Sequence, residues 1–77
     1  MSRGFDMVYN VDFNYDPEAE VWVATSEDIT GLVLESESYD ELVKKVKNAV
    51  PELLELNGQP KASVLNIRCN ERKLVFA

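Results

Sequence analysis

Apolar and polar residues alternate strictly near the start of the chain. From Phe5 to Tyr15 every odd position is apolar or aromatic, whereas most even positions are polar. Side chains of a β-strand point alternately to its two faces, so the pattern predicts a strand with one buried and one solvated face. Asp16-Pro17-Glu18-Ala19 then predicts a turn, because Asp suits its first position and proline presets the φ of its second.

The run from Val21 to Thr25 predicts the returning strand of a hairpin. Its facing depends on the length of the loop, since a slip of one residue exchanges the two faces of a strand. If residues 17–20 form the loop, Trp22 lies opposite Tyr15 and joins the core, and a shorter loop would place it outside. The longer loop is the favoured alternative.

A helix is predicted after Ser38. Ser38 and Glu41 have the spacing of a capping box, and apolar residues then recur every three or four positions to form one stripe. Pro51 predicts a kink or a restart, because proline lacks an amide donor and collides with the preceding turn. Gly58 predicts the end of the helix, in the left-handed conformation.

Three further apolar runs predict strands: residues 32–34 before the helix, 62–69 after it, and, as an optional last strand, 73–76. The element order is therefore β-β-β-α-β, with or without a final β. One helix covers only one face of a sheet, and the polar even positions of the first strand predict that the other face is solvated. The sequence thus predicts one α+β two-layer domain over residues 1–77, with a mostly antiparallel sheet and no separate DNA-binding domain.

The chain has 77 residues, so its core is small and its stability marginal. Small domains often gain stability from a disulfide, a metal or a second subunit. Cys69 is the only cysteine and there is no histidine, which excludes an internal disulfide and the usual sulfur and nitrogen ligands of a metal. We therefore expect no metal and no cofactor, and we expect a homo-oligomer, either a dimer or a tetramer.

Charge and hydropathy narrow the class of partner. Fourteen acidic and eight basic residues give a net charge of −6, the opposite of the balance that phosphate binding needs, so direct binding to nucleic acid is not expected. A basic surface would attract such a domain, although negative charge also serves solubility alone. No secretory or membrane-spanning segment is evident, and an unpaired cysteine suits a reducing compartment, which predicts a cytoplasmic protein.

Charged side chains of the helix are interpreted as a solvated face. Asp40 with Lys44 and Glu41 with Lys45 have the spacing of i,i+4 ion pairs. Together with Lys47 these lysines form a small basic group, which is more often exposed helix surface than a phosphate site.

Catalytic constellations are not evident. Without histidine the commonest acid/base and nucleophile pairs are missing, and Cys69 is interpreted as an ordinary strand residue. Asp12 lies on the face of its strand away from the helix, so it cannot share a metal with Glu41 or Glu52. Asp28 is expected to organise its own loop by an Asx turn. We therefore expect no enzyme and no catalytic residue.

Residues 5–57 resemble the HicB-type antitoxin superfamily, most closely its small stand-alone members. The resemblance is carried by the hairpin, the Asp28-Ile29-Thr30-Gly31 loop, the capped helix and its end Pro51-Glu52-Leu53-Leu54-Glu55-Leu56-Asn57. It implies a partial RNase H-like fold without catalytic carboxylates, and binding to a small basic mRNA-cleaving toxin of the HicA type. Full-length antitoxins usually add a C-terminal DNA-binding segment, which we do not expect here. Glu20 stands where relatives often place glycine, so a left-handed turn residue is expected there.

The sequence therefore predicts a non-catalytic protein-binding domain that neutralises a HicA-like toxin. The acidic residues expected to face this partner are Asp16, Glu18, Glu27 and Asp28. The alternative is a stand-alone homo-oligomeric domain, without a toxin, that associates through a free strand edge. The sequence leaves open the toxin's identity, the oligomer interface, the binding face and any regulatory role on DNA.

Overall fold

A computed structural model describes residues 7–69. Its elements are β1 Val8–Asp16, β2 Val21–Thr25, β3 Val33–Ser36, α1 Tyr39–Leu56 and β4 Val64–Cys69. The predicted order β-β-β-α-β is confirmed. The predicted segment 73–76 lies outside the described residues, as does the beginning of the alternating pattern at Phe5 and Asp6.

The four strands form one mixed sheet in the order β3-β2-β1-β4. β1 and β2 are antiparallel, as are β2 and β3, whereas β4 lies parallel to β1. A parallel neighbour requires a long crossover connection, which α1 provides. The helix packs on one side of the sheet, so the predicted two-layer α+β architecture is confirmed. We call the sheet surface on the other side the open face.

The alternation in β1 separates the core from the open face as expected. Tyr9, Val11 and Phe13 are buried. The β1–β2 register pairs Tyr15 with Trp22, so residues 17–20 form the loop. The half-buried Trp22 packs against the core, and its ring meets those of Tyr15 at 5.4 Å and Tyr39 at 5.2 Å between centroids. The favoured alternative for Trp22 is confirmed.

The beginning of α1 follows the predicted capping chemistry in part. Ser38 is the N-cap, and its hydroxyl oxygen accepts a hydrogen bond from the amide of Glu41 at 3.3 Å. In a full capping box the side chain of Glu41 would accept from the amide of Ser38. Instead, that amide donates to the hydroxyl oxygen of Ser36 at 3.3 Å.

The other end of α1 is a Schellman motif. The amide of Gln59 donates to the carbonyl of Leu54 at 2.8 Å, and that of Gly58 donates to Glu55 at 3.2 Å. This arrangement needs a left-handed residue after the C-cap, and Gly58 has a φ of 67°. The predicted stop at Gly58 is confirmed.

The restart offered as one outcome at Pro51 is wrong, because α1 continues through this residue to Leu56. Proline removes one amide donor, which is a local cost. Val50 and Leu54, on either side of it, are both buried in the core. Burial of the apolar stripe therefore holds the two halves in one helix.

Candidate interaction surface

Asp16 and Glu18 lie at the β1–β2 hairpin. One carboxylate oxygen of Asp16 accepts hydrogen bonds from the amides of Glu18 at 3.0 Å and Ala19 at 3.3 Å. The carboxylate thus fixes the turn from within, and both acidic residues are exposed. Glu20 closes the turn with a φ of 57°, which confirms the expected left-handed residue.

Glu27 and Asp28 lie in the loop between β2 and β3, which Ser26 organises. The hydroxyl of Ser26 donates to the carbonyl of Asn10 at 2.6 Å and accepts from the amides of Asp28 at 3.0 Å and Ile29 at 3.1 Å. The carboxylate of Asp28 accepts from the amide of Asn10 at 2.7 Å. The expectation that Asp28 folds its own loop by an Asx turn is therefore wrong.

The physical reason lies in the length of β2. Its pairing with β1 ends at Thr25, opposite Asp12, so the backbone of Asn10 extends beyond the ladder. Backbone polar groups need partners wherever they lie away from water. The side chains of Ser26 and Asp28 therefore bind the carbonyl and the amide of Asn10, in place of the backbone groups of a longer β2.

A second set of contacts joins this loop to the end of α1. The side-chain amide of Asn57 donates to the carbonyl of Thr30 at 2.9 Å, and that of Gln59 donates to the carbonyl of Asp28 at 2.9 Å. Ile29 is completely buried beneath the loop. The loop is thus held from the sheet, the helix end and the core at once, and it presents Glu27 in a fixed position.

The two acidic pairs do not converge. Asp16 and Glu18 precede β2, whereas Glu27 and Asp28 follow it. A five-residue strand separates its two ends by about 14 Å, given a rise of about 3.4 Å per residue. A partner that contacts all four side chains must therefore span the length of β2.

Arg68 is a site residue that the sequence reasoning missed. On the open face its guanidinium donates to both carboxylate oxygens of Asp12, at 2.9 and 3.0 Å. This hydrogen-bonded contact raises the pKa of Arg68, and the charges of Glu27 and Asp28 raise it further. The loop carboxylates therefore lie near a cation, and Arg68 offsets part of their charge. No local pattern signals this, because the two partners are 56 residues apart.

A groove runs between α1 and β4, and the sequence reasoning missed it as well. Its volume is about 590 Å³. The apolar floor includes Val50, Leu54 and Leu65, and the rim carries Lys47, Lys61 and Glu55. Lys47, interpreted from the sequence as part of a solvated face, is exposed but lines this groove.

Among the described residues neither of the predicted helix ion pairs, Asp40–Lys44 and Glu41–Lys45, is formed. The ammonium of Lys45, expected to pair with Glu41, donates to the carbonyl of Glu35 on β3 at 3.0 Å. A charged side chain that reaches an edge strand occupies a group that another strand would use.

The described residues show little that resembles a catalytic centre. Within residues 7–69 no group of three His, Cys, Asp or Glu side chains is placed to hold a metal. Asp12 faces the open side of the sheet, away from the helix that carries Glu41 and Glu52, as predicted. The sulfur of the exposed Cys69 lies 3.5 Å from the hydroxyl of Tyr39, and this contact, followed by burial, raises the pKa of Tyr39. In the same part of the chain, no helix is long and apolar enough to cross a membrane.

The fold and surface define a small α+β domain in which one helix covers one side of a four-stranded mixed sheet. The chain belongs to the DUF1902 family, a domain of unknown function, whose family model matches residues 8–77. It is similar to the crystal structure of a hypothetical protein from the extremely thermophilic bacterium Thermus thermophilus. The two share 41% sequence identity with a TM-score of 0.73, over 90% of this chain and 99% of the other. A comparison with curated proteins found no match.

Proposed function

We propose that this chain is a non-catalytic protein-binding domain, HicB-like in type, that neutralises a small basic mRNA-cleaving toxin of the HicA kind. The observation that carries the proposal is the Glu27–Asp28 loop, whose acidic side chains are exposed on a backbone fixed by Ser26, Asn57 and Gln59. A fixed loop loses little conformational freedom when a partner binds. Negative charge on such a loop matches the positive surface that an RNA-cleaving toxin needs for its substrate.

The hairpin acids support the same proposal from the other end of β2. Asp16 holds its turn through two backbone amides, so Glu18 is exposed on an ordered turn. Two acidic ends of one strand would contact a basic domain at two separate points, which fixes its orientation. The cytoplasmic location proposed from the sequence is where such a toxin would meet mRNA.

The test is co-expression with a small basic HicA-type toxin, sought among the genes that flank this one. Glu27→Lys reverses one charge on the fixed loop, and we expect weaker capture of the toxin and weaker relief of growth arrest. Glu52→Lys is the matched control, because it makes the same charge change at an exposed position of α1. If the toxin is captured but no charge reversal weakens its capture, this surface is not the binding site. The reversals are made at Asp16, Glu18, Glu27 and Asp28. If the wild-type chain neither binds the toxin nor relieves growth arrest, a toxin of this kind is not its partner.

The alternative is a stand-alone homo-oligomeric interaction domain with no toxin partner. Its support is the exposed apolar surface, including Val33, which is 69% exposed on β3. Within residues 7–69, β3 pairs with β2 alone and therefore has a free edge. That edge is only four residues long, and Lys45 binds its Glu35 carbonyl, so addition of another strand is disfavoured. Self-association is therefore more favourable through a surface other than the edge of β3.

A further inference from the structure

We infer that the groove between α1 and β4 is the contact surface of a two-fold symmetric dimer, in which the flank of α1 from a second copy occupies the groove. The inference goes beyond the proposed toxin binding and does not depend on it. It identifies the interface that the sequence leaves open.

The first support is the shape and polarity of the groove. Its volume is about 590 Å³, and Val50, Leu54 and Leu65 contribute apolar surface to its floor. Val64, which is 50% exposed, extends this surface at the beginning of β4. An apolar groove in a domain with a small core gains free energy when a second subunit covers it.

The second support is local charge. The chain has a net charge of −6, so two copies repel one another over most of their surface. The groove rim instead carries Lys47 and Lys61 with only Glu55 among the acids. In a two-fold contact this rim faces the same rim of the other copy, so the two surfaces that meet avoid the acidic excess of the rest of the chain, whereas a basic partner would be opposed.

The third support is the order of side chains along α1. Lys47, Pro51 and Glu55 are spaced four residues apart, so they follow one another along the same flank of the helix. All three are exposed and line the groove. Lys47 and Glu55 are about 12 Å apart along the axis, given a rise of about 1.5 Å per residue.

This order is self-complementary. If two copies of α1 cross antiparallel with the two-fold axis at Pro51, Lys47 of each copy faces Glu55 of the other. A two-fold interface requires such a pattern, because every contact from one copy to the other is repeated in the opposite direction. The ring of Pro51 provides an apolar centre between the two ion pairs.

The experiment is a charge exchange across the axis, read by light scattering after size exclusion and by sedimentation equilibrium. We expect a wild-type dimer. Lys47→Glu and Glu55→Lys should each raise its dissociation constant by about tenfold or more, because symmetry places two like-charge contacts in every dimer. The double variant, with both charges exchanged, should regain the wild-type constant.

Glu52→Lys is the control, since it alters net charge as Glu55→Lys does but lies away from the groove. Circular dichroism of each variant shows that the fold is retained. A monomeric wild-type chain would overturn the inference and leave the groove to another ligand. If the single variants do not weaken the dimer, the interface lies elsewhere. The same conclusion follows if the double variant does not restore the wild-type dissociation constant. Toxin binding is scored separately, so either proposal can fail alone.

Discussion

Arg68 and Asp12 form a two-point contact between parallel strands: the guanidinium donates to both carboxylate oxygens, at 2.9 and 3.0 Å. The contact joins the last described strand to the middle of β1. Beside it, the side-chain amide of Asn66 donates to that of Asn10 at 2.9 Å. The open face is therefore organised by side-chain pairs across β1 and β4, although it is exposed to solvent.

We predict that Arg68→Lys lowers the stability of the domain slightly. Lysine keeps the charge but loses the planar fork that engages both oxygens. The loss should be small and should shrink at high salt, because Arg68 is well exposed and ions screen exposed pairs. Urea unfolding at low and high ionic strength measures it. Lys61→Arg, the reverse exchange at an exposed position, is the control, and a loss that salt leaves unchanged would contradict an electrostatic origin.

Ser26→Ala should cost about 1–3 kcal/mol of unfolding free energy, since it removes three hydrogen bonds and leaves a backbone carbonyl without its donor. Chemical denaturation measures the loss. Asp28→Asn provides the comparison, because its side-chain oxygen can still accept from the amide of Asn10. If Ser26→Ala costs no more than Asp28→Asn, Ser26 does not organise the loop.

Glu20→Gly should stabilise the domain by about 0.5–1 kcal/mol. Glu20 has a φ of 57°, a conformation that strains residues with a Cβ and that glycine adopts freely. Thermal and urea unfolding measure the gain. Glu18→Gly, in the same turn without positive φ, should bring no gain, and equal stabilisation by both variants would show that charge is the cause.

The Tyr39–Cys69 contact predicts a pH dependence. Since the folded pKa of Tyr39 lies above its ordinary value of 10.0, the folded state holds this proton more tightly than the unfolded state. Its contribution to stability is complete below pH 10.0 and decreases as pH rises through the folded pKa. The difference in stability between wild type and Tyr39→Phe should therefore narrow above pH 10.0.

Urea unfolding across an alkaline series follows this difference. Tyr15→Phe is the control, because Tyr15 on β1 is an exposed tyrosine whose ring contacts Trp22, as that of Tyr39 does. A difference between wild type and Tyr39→Phe that stays constant through the alkaline range would contradict the prediction.

Local chemistry made much of the fold predictable. Alternation in β1, the turn at Asp16, the cap at Ser38 and the stop at Gly58 each depend on a few neighbouring residues. The register of Trp22 was also accessible, since loop length determines which face a strand presents. Pro51 shows the limit of such reasoning: its local cost was clear, but the burial of Val50 and Leu54 that outweighs it depends on the sheet beneath.

The candidate surfaces were less accessible because they are made by contacts between distant segments. Arg68 meets Asp12 only through the parallel pairing of β4 with β1. Asp28 binds the backbone of Asn10 only because β2 ends before reaching it. The groove exists because β4 lies beyond the helix. Exposed acids were visible in the sequence, whereas their neighbours were not.

The parallel placement of β4 beside β1 has a consequence for synthesis on the ribosome. β1 emerges early, but its second neighbour is complete only after the helix and Cys69 have emerged. Until then one side of β1, which has the most buried residues of the four described strands, offers unpaired amides and carbonyls to any nascent chain nearby. Chaperone demand and misassembly during translation should therefore depend on how quickly residues 64–69 are delivered, and slow codons in the helix would prolong the exposure.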